Sequence, residues 1–324
     1  MTGEHGPTLV ARTPEDLLAM VPVVLGFHPQ RSLVMLTFGG RQSFHARVDV
    51  PDSDHDVALV TDLLLGPALR HEVRSAVFVV YDRDSRFTRA VARRLVREFL
   101  ARGIAVVDVL LADRGRWCRF EERRWGPRVP YDLTDHPFHA EAVWHGLVTH
   151  DSRAALAASV GTDPARLAAV CACLPAPGER SVAVAGGAAP DETGWAVATL
   201  DAAVREGVAL EAPDAARMLT ALTDLDVRDA VWRRMTRATA RQHLRVWTDL
   251  VRAAPEGMVA APAVLLGFAA WLGGDGALAW CALDRCLADE PSYSLGHLLA
   301  RALSDAVPPS HWEDAGVGVV QDRP

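Results

Sequence analysis

The spacing of apolar residues along the chain changes near residue 135. Before this point, short apolar runs alternate with longer stretches in which apolar residues recur every three to four positions. Runs of the first kind predict strands, and stretches of the second kind predict helices. After a short helix capped by Thr13, the order is strand, strand, helix, strand, helix, strand, strand. The predicted strands are 32–38, 44–50, 76–81, 104–111 and 117–120, with crossover helices up to about residue 70 and over 86–102.

From residue 136 onward no convincing strand pattern appears, and helical patterns cover most of the chain, including a predicted helix over 138–160. The sequence therefore predicts an α/β domain over residues 1–135, with a mixed sheet built from a hairpin and two crossover helices, and an all-α domain over 136–324. Residues 175–190 are rich in Pro, Gly and Ala and are expected to form a mobile loop.

A repeat is visible towards the end of the chain, where Pro255 and Pro291 each follow a predicted helix. The helical hairpins over about 239–304 resemble a degenerate tetratricopeptide repeat, whose helix pairs stack and often present a concave binding face.

Composition removes several classes of function. All 34 basic residues are arginine, so lysine-dependent chemistry such as a P-loop or a Schiff base is excluded, and the net charge is −7. The charge is +1 over residues 1–135 and −8 over 136–324. Five cysteines without a CxxC pair predict reduced thiols and no structural zinc site. The uncharged stretch 257–274 contains Pro262 and predicts a buried helix rather than a membrane span, and no secretory signal is evident. A cytoplasmic location is expected.

Several motifs carry a resemblance to a family. They are RTPEDLL at 12–18, VP at 21–22, LGFHP at 25–29, SLV at 32–34, RVD at 47–49, GRW at 115–117, GDGALA at 274–279 and PSY at 291–293. The chain resembles a family of uncharacterised proteins from high-GC Gram-positive bacteria, classified as a domain of unknown function. Many members have cysteines after the Arg-Trp motif, where this chain has EERRWGP at 121–127. The resemblance implies no reaction and, here, no cysteine-based metal site.

The predicted topology brings one set of polar side chains to a single edge of the sheet. The first strand runs opposite to the other three, so its beginning lies with their carboxyl ends, where open α/β sheets bind ligands. Histidine beside carboxylates can hold a divalent cation or transfer protons. The alternative is that these residues form turns and cap helices. The candidates are His28, Ser32, Asp49, Asp52, Asp82, Arg83, Asp84, Asp113, Arg114 and Arg116.

His28 is the candidate with the most specific expectation. Pro29 restricts it to extended geometry, which would point its ring along this edge toward Asp82 or Asp84 and raise its pKa. The alternative is a simple hydrogen bond to a loop carbonyl. No nucleophile elbow or GxGxxG motif is present, and the other clustered histidines lack the i,i+4 spacing of metal-binding pairs. The sequence therefore defines no metal site and no cofactor.

Two arginine stripes raise the question of partners. They are Arg86, Arg89, Arg93 and Arg97, and Arg234, Arg237, Arg241 and Arg245. A solvated face, or docking on an acidic surface, is favoured over nucleic acid because the pI is about 5.9. Two hypotheses follow. The first is a cytosolic binding or scaffold protein whose helical half engages a protein partner or another copy of itself. The second is an enzyme or sensor for a small anionic metabolite at the sheet edge, with or without a metal.

Overall fold

The computed structural model describes residues 9–40, 44–175 and 190–314. The chain forms two compact units, one up to Arg153 and one from Ala154. The first unit contains α1 (Pro14–Leu25), β1 (Ser32–Phe38), β2 (His45–Asp49), α2 (Asp54–Arg70), β3 (Ser75–Tyr81), α3 (Arg86–Ala101), β4 (Ala105–Asp113), β5 (Arg116–Glu121), β6 (Arg124–Trp125), β7 (Val129–Pro130) and α4 (Pro137–Trp144).

The strands form one mixed sheet, as the sequence predicts. Within the described residues the order is β2-β1-β3-β4-β5-β6, and β7 also pairs with β5. β1 is antiparallel to both β2 and β3, whereas β3 and β4 are parallel. The hairpin and the two crossover helices are confirmed. β1 lies between the two strands that α2 connects, so the first crossover passes over one strand.

α2 and α3 pack side by side on one face of the sheet. Their apolar sides and the sheet form a continuous core in which Leu33, Phe78 and Leu111 meet Leu95 and Phe99 of α3. The rings of Phe78 and Phe99 meet edge to face, with centroids 4.9 Å apart. This burial fixes the register of β1, β3 and β4, because a shift by one residue would turn these side chains away from the core.

α1 is fixed at its start by the RTPEDLL motif. The Thr13 side chain accepts a hydrogen bond from the Asp16 backbone, and the Asp16 carboxylate accepts one from the Thr13 N–H, which is a capping box. Glu15 accepts a hydrogen bond from Trp117 Nε1 at 2.9 Å, and this links α1 to β5. The motif therefore positions a helix against the sheet.

The predicted helix over 138–160 is wrong as one element. α4 ends at Trp144, and a second helix, α5 (Arg153–Ser159), begins nine residues later. Gly146 between them has a φ of +68°, which helices exclude. His150 then exchanges backbone hydrogen bonds with the segment after α1, at 2.9 Å to His28 N and 2.8 Å to Gly26 O. α4 packs against α1, so the first unit ends after α4 rather than before it.

The second unit is helical over its described residues, in agreement with the predicted fold class. Besides α5 it contains α6 (Pro164–Cys171), α7 (Pro190–Glu206), α8 (Ala212–Ala221), α9 (Leu225–Trp232), α10 (Ala240–Ala253), α11 (Ala260–Leu272), α12 (Gly276–Asp289), α13 (Ser294–Ser304) and α14 (Ser310–Asp314). The predicted mobile loop over 175–190 lies almost wholly outside the described residues. The likeness of 239–304 to tetratricopeptide repeats stays a prediction.

The uncharged stretch 257–274 forms the centre of this unit. Nearly every residue of α11 is buried, and α10, α12 and α13 pack around it. The Asp289 carboxylate at the end of α12 caps the start of α11, accepting hydrogen bonds from the backbone N–H groups of Gly257, Val259 and Ala260 at 2.8, 3.0 and 3.0 Å. In the part of the chain that the structure describes, no helix has both the length and the apolar character needed to span a bilayer.

Candidate functional site

The structure brings most of the predicted candidates to the expected edge of the sheet. Ser32 at the start of β1 lies opposite Asp49 on β2 and Tyr81 on β3. Asp113 at the end of β4 lies opposite Arg116. Asp82, Arg83 and Asp84 follow β3 in the loop to α3. These polar residues therefore meet at one edge of the sheet, and the role of each depends on what its side chain contacts.

Ser32 and Asp49 hold the start of β1 in place. Ser32 is fully buried; its hydroxyl donates to the Gln30 carbonyl at 2.7 Å and accepts from Arg47 Nε at 2.8 Å. The Arg47 guanidinium in turn contacts the Asp49 carboxylate at 2.7 Å. Since Ser32, Arg47 and Asp49 bind one another in this way, the arrangement supports a structural role for Ser32.

The loop after β3 supports the alternative in which strand-end residues form turns. Asp82 accepts a hydrogen bond from the Arg83 backbone N–H at 2.7 Å, and Asp84 lies 3.1 Å from Arg89 Nε. Ser85, the next residue, caps α3. On the neighbouring strand, Asp113 lies 3.6 Å from Arg128.

His28 contacts other histidines. Its side chain is exposed, and its ring lies 6.4 Å from that of His139, which is 6.3 Å from the ring of His136. Burial, together with these two neighbours, lowers the pKa of His139. Among the described residues, no hydrogen bond or ion pair joins His28 to Asp82 or Asp84, so the expected pairing is not present. Nor do the described residues group three His, Cys, Asp or Glu side chains as a metal would require.

A groove in the helical unit has a more favourable composition for binding. It is open, has a volume of about 620 Å³ and runs along α10 beside α6. Four arginines and two aspartates provide its charged groups, and Leu244, Thr248 and Ala209 provide the surface between them. The charged residues are Asp163, Arg166, Arg241, Arg245, Asp249 and Arg252. The groove therefore has an excess of positive charge in the acidic half of the chain.

Two ion pairs build one wall of this groove. Arg166 on α6 binds Asp249 on α10 through two nitrogens, with Nη2 at 2.8 Å and Nε at 3.1 Å from the carboxylate oxygens. Its Nη2 also donates to the Leu210 carbonyl. Arg252 donates to Asp163 at 3.1 Å. These contacts fix the positions of two guanidinium groups.

The same contacts shift the pKa values of Arg166 and Asp163. The hydrogen bond to Asp249 is the main cause that raises the pKa of Arg166. The Arg166 backbone N–H lowers the pKa of Asp163, and the Arg252 side chain contributes in the same direction. These interactions therefore keep Arg166 protonated and Asp163 ionised at neutral pH.

Arg241 and Arg245 extend the groove along α10. The opposite face of this helix is buried through Val246, Trp247 and Leu250, so the arginine face points away from the core. Arg245 donates to the Gly207 carbonyl, which holds the loop after α7 at the groove.

Sequence reasoning found only part of this groove. The second arginine stripe contains Arg241 and Arg245, but its first member, Arg234, pairs with Asp201 at 2.7 Å. Arg166 and Asp249 are 83 positions apart, and no local pattern connects them. The sequence feature that indicates this groove is the amphipathic pattern of α10, in which arginines lie opposite a strongly apolar face.

The fold and this geometry define the class of protein: an α/β unit followed by a helical unit with an arginine-lined groove. A family model described as a domain of unknown function (DUF4192) matches residues 14–310. The chain therefore belongs to this family. No curated protein and no solved structure matches the chain.

Proposed function

We propose that this is a binding protein whose helical unit takes an acidic segment of a partner protein in the groove along α10. The observation that supports this most is the presence of four arginines with only two aspartates in a single open groove. Guanidinium groups held in fixed positions bind carboxylates with little loss of conformational entropy. The surrounding unit is acidic, which disfavours polyanions with a broad contact surface such as nucleic acid.

The dimensions of the groove favour a polypeptide. Arg241 and Arg252 are eleven positions apart on one helix, which places them about 16 Å apart along its axis. An extended peptide rises roughly 3.3 Å per residue, so about five residues span this distance. Arg241 and Arg245 are about 6 Å apart along the axis, close to the spacing of alternate side chains on such a peptide. The preferred ligand therefore has acidic residues at alternate positions.

Two finer properties are part of the proposal. The five cysteines are free thiols, which supports a cytosolic location. The exclusive use of arginine as the basic residue supports an origin in a high-GC organism. No reaction is required for the proposed role.

Peptide binding by fluorescence anisotropy tests the proposal. A labelled peptide with glutamates at alternate positions should bind the full chain, and the same peptide with glutamines should not. Arg241→Gln combined with Arg245→Gln should weaken binding by about tenfold or more. The matched control is Arg93→Gln with Arg97→Gln, which removes two arginines from α3 and should have no effect.

Three results would contradict the proposal: no binding of the acidic peptide, equal weakening by both pairs of substitutions, or no weakening by either. Sedimentation of the chain alone distinguishes a partner protein from a second copy. If the chain forms a concentration-dependent dimer that the α10 substitutions abolish, the groove binds a second copy of the chain and not a partner protein.

A further inference from the structure

The strand β2 forms an open edge of the sheet. Within the described residues it pairs with β1 alone, and the strand order ends with it. An open edge is a template for pairing with a further strand, which natural proteins either block or use for binding. The role of β2 therefore depends on which groups it presents at this edge.

The backbone groups at the open edge follow from the pairing of β2 with β1. The Val50 N–H donates to the Arg31 carbonyl at 3.0 Å, so the backbone groups of Val50 point toward β1. In an antiparallel pair, successive residues point these groups alternately toward the neighbouring strand and away from it. The N–H and C=O groups of His45, Arg47 and Asp49 therefore point to the open edge.

The side chains of β2 select one register for a further strand. Two antiparallel β2 strands centred on Val48 place Arg47 of each copy opposite Asp49 of the other, and the outward backbone groups of these residues then meet. A register centred on Arg47 or on Asp49 places like charges opposite each other, which is destabilising. Asp49 binds Arg47 of its own strand at 2.7 Å, and its side chain is still 83% exposed, so a second guanidinium can reach it. The charges of β2 are therefore complementary to a second copy of β2.

The helix α2 presents an apolar surface on the same side of the unit. Leu59 and Leu63 lie one turn apart and are 49% and 54% exposed. Thr61 and Leu65, about half a turn of the helix away from them, are buried. Because α3 packs beside α2, the buried flank faces α3, and the flank with the two exposed leucines faces the side of the open edge.

We propose that the β2 edge binds a second copy of the chain, with β2 antiparallel to β2 and centred on Val48. Residues directly opposite each other in an antiparallel pair share a face of the sheet, so the two-fold axis is perpendicular to the sheet. The two α2 helices then lie on the same face, on either side of the axis, with Leu59 and Leu63 of each turned toward the other. This interface lies in the α/β unit and does not depend on the groove along α10.

Sedimentation velocity of the full chain over a range of concentrations tests the proposal. The wild type should change from a species of 35.0 kDa to one of twice this mass as the concentration rises. Asp49→Arg should raise the dissociation constant about tenfold or more, because two pairs of opposite charge become two pairs of arginines. Asp62→Arg changes the net charge equally, on the exposed side of α2 that faces solvent, and should leave the constant unchanged.

A second pair of variants tests the contact between the α2 helices. Leu63→Glu places carboxylates on both sides of the two-fold axis and should also raise the dissociation constant. The matched control is Leu100→Glu at the end of α3, where the leucine is 55% exposed, and it should leave the dimer unchanged. Equal effects of the two substitutions would contradict the proposed arrangement.

Amide hydrogen exchange of the wild type, measured by NMR at low and at high concentration, locates the interface. The amides of Arg47 and Asp49 should become protected only at high concentration, whereas those of Ala46 and Val48, which point toward β1, should be protected at both.

Three results would overturn the proposal: a chain that stays monomeric at every concentration, a dimer whose dissociation constant does not respond to Asp49→Arg, or a dimer in which the exchange of Arg47 and Asp49 is unchanged. The α10 substitutions should leave this dimer intact. A dimer that they abolish would place the second copy in the groove and contradict the β2 interface.

Discussion

The helical unit should lose stability in mild acid because of one buried histidine. His243 on α10 is 2% exposed. Its Nδ1 atom is buried and has no hydrogen-bond partner among the described residues, while the ring forms a hydrogen bond with the backbone of Arg234. Burial lowers the pKa of His243 from 6.5 to about 4, although Asp201 acts in the opposite direction. The folded unit therefore holds this imidazole in its neutral form.

The sign and size of the effect follow from these two pKa values. As the pH falls, the unfolded chain binds a proton at His243 before the folded chain does, so acid favours unfolding. The stability is fully present above about pH 6.5 and is lost progressively as the pH falls toward about 4. Between about pH 7.5 and about pH 5, the expected loss from this group is about 2 kcal/mol.

Unfolding in guanidinium chloride, followed by circular dichroism at both pH values, measures this loss. His243→Gln does not titrate, and its amide can donate toward the Arg234 carbonyl. The wild type should lose about 2 kcal/mol more stability than this variant between the two pH values. His45 has a similarly lowered pKa of about 4 in the other unit, but it is present in both proteins and cancels. An equal loss in both proteins would refute the reasoning.

Three further substitutions or reactions test the packing. Asp289→Ala removes the acceptor for three backbone N–H groups at the start of α11 and should cost about 1–2 kcal/mol in chemical unfolding; an unchanged midpoint would contradict the cap. Arg228 is 6% exposed and donates hydrogen bonds to Asp229 and Tyr293. Arg228→Ala should lower the free energy of unfolding by about 2–3 kcal/mol, and Arg228→Met, which keeps more of the buried side-chain volume, should lower it by less, measured the same way. Of the five thiols, only those of Cys171 and Cys173 should react with a thiol reagent in the native protein, as counted by mass spectrometry. The other three are buried, and burial raises the pKa of Cys286 to about 12.

The fold class was predictable because its signals are local. The apolar runs at 32–38 and 76–81 are buried on both faces of the sheet, and such strands differ in sequence from the amphipathic helix α3. The position of β1 between β2 and β3 was not predictable. It depends on which distant strands pair, and several orders would bury the same residues.

The break between α4 and α5 shows how tertiary contacts override a local pattern. Residues 138–160 have helical periodicity, but His150 pairs with the segment that follows α1, and Gly146 permits the turn. The same principle explains the edge of the sheet. The sequence placed Ser32 at the edge where the strands end, but only the structure shows that Arg47 donates a hydrogen bond to its hydroxyl.

A charge-reversal experiment tests the central claim most directly, that the helical unit binds an acidic segment through the arginines of α10. The variant combines Arg241→Glu and Arg245→Glu, and anisotropy is measured with the acidic peptide and with a peptide in which arginines replace its glutamates. The account predicts that the wild type binds only the acidic peptide and that the variant loses it and gains the basic one. Retention of the acidic peptide by the variant, with affinity equal to that of the wild type, would contradict the account.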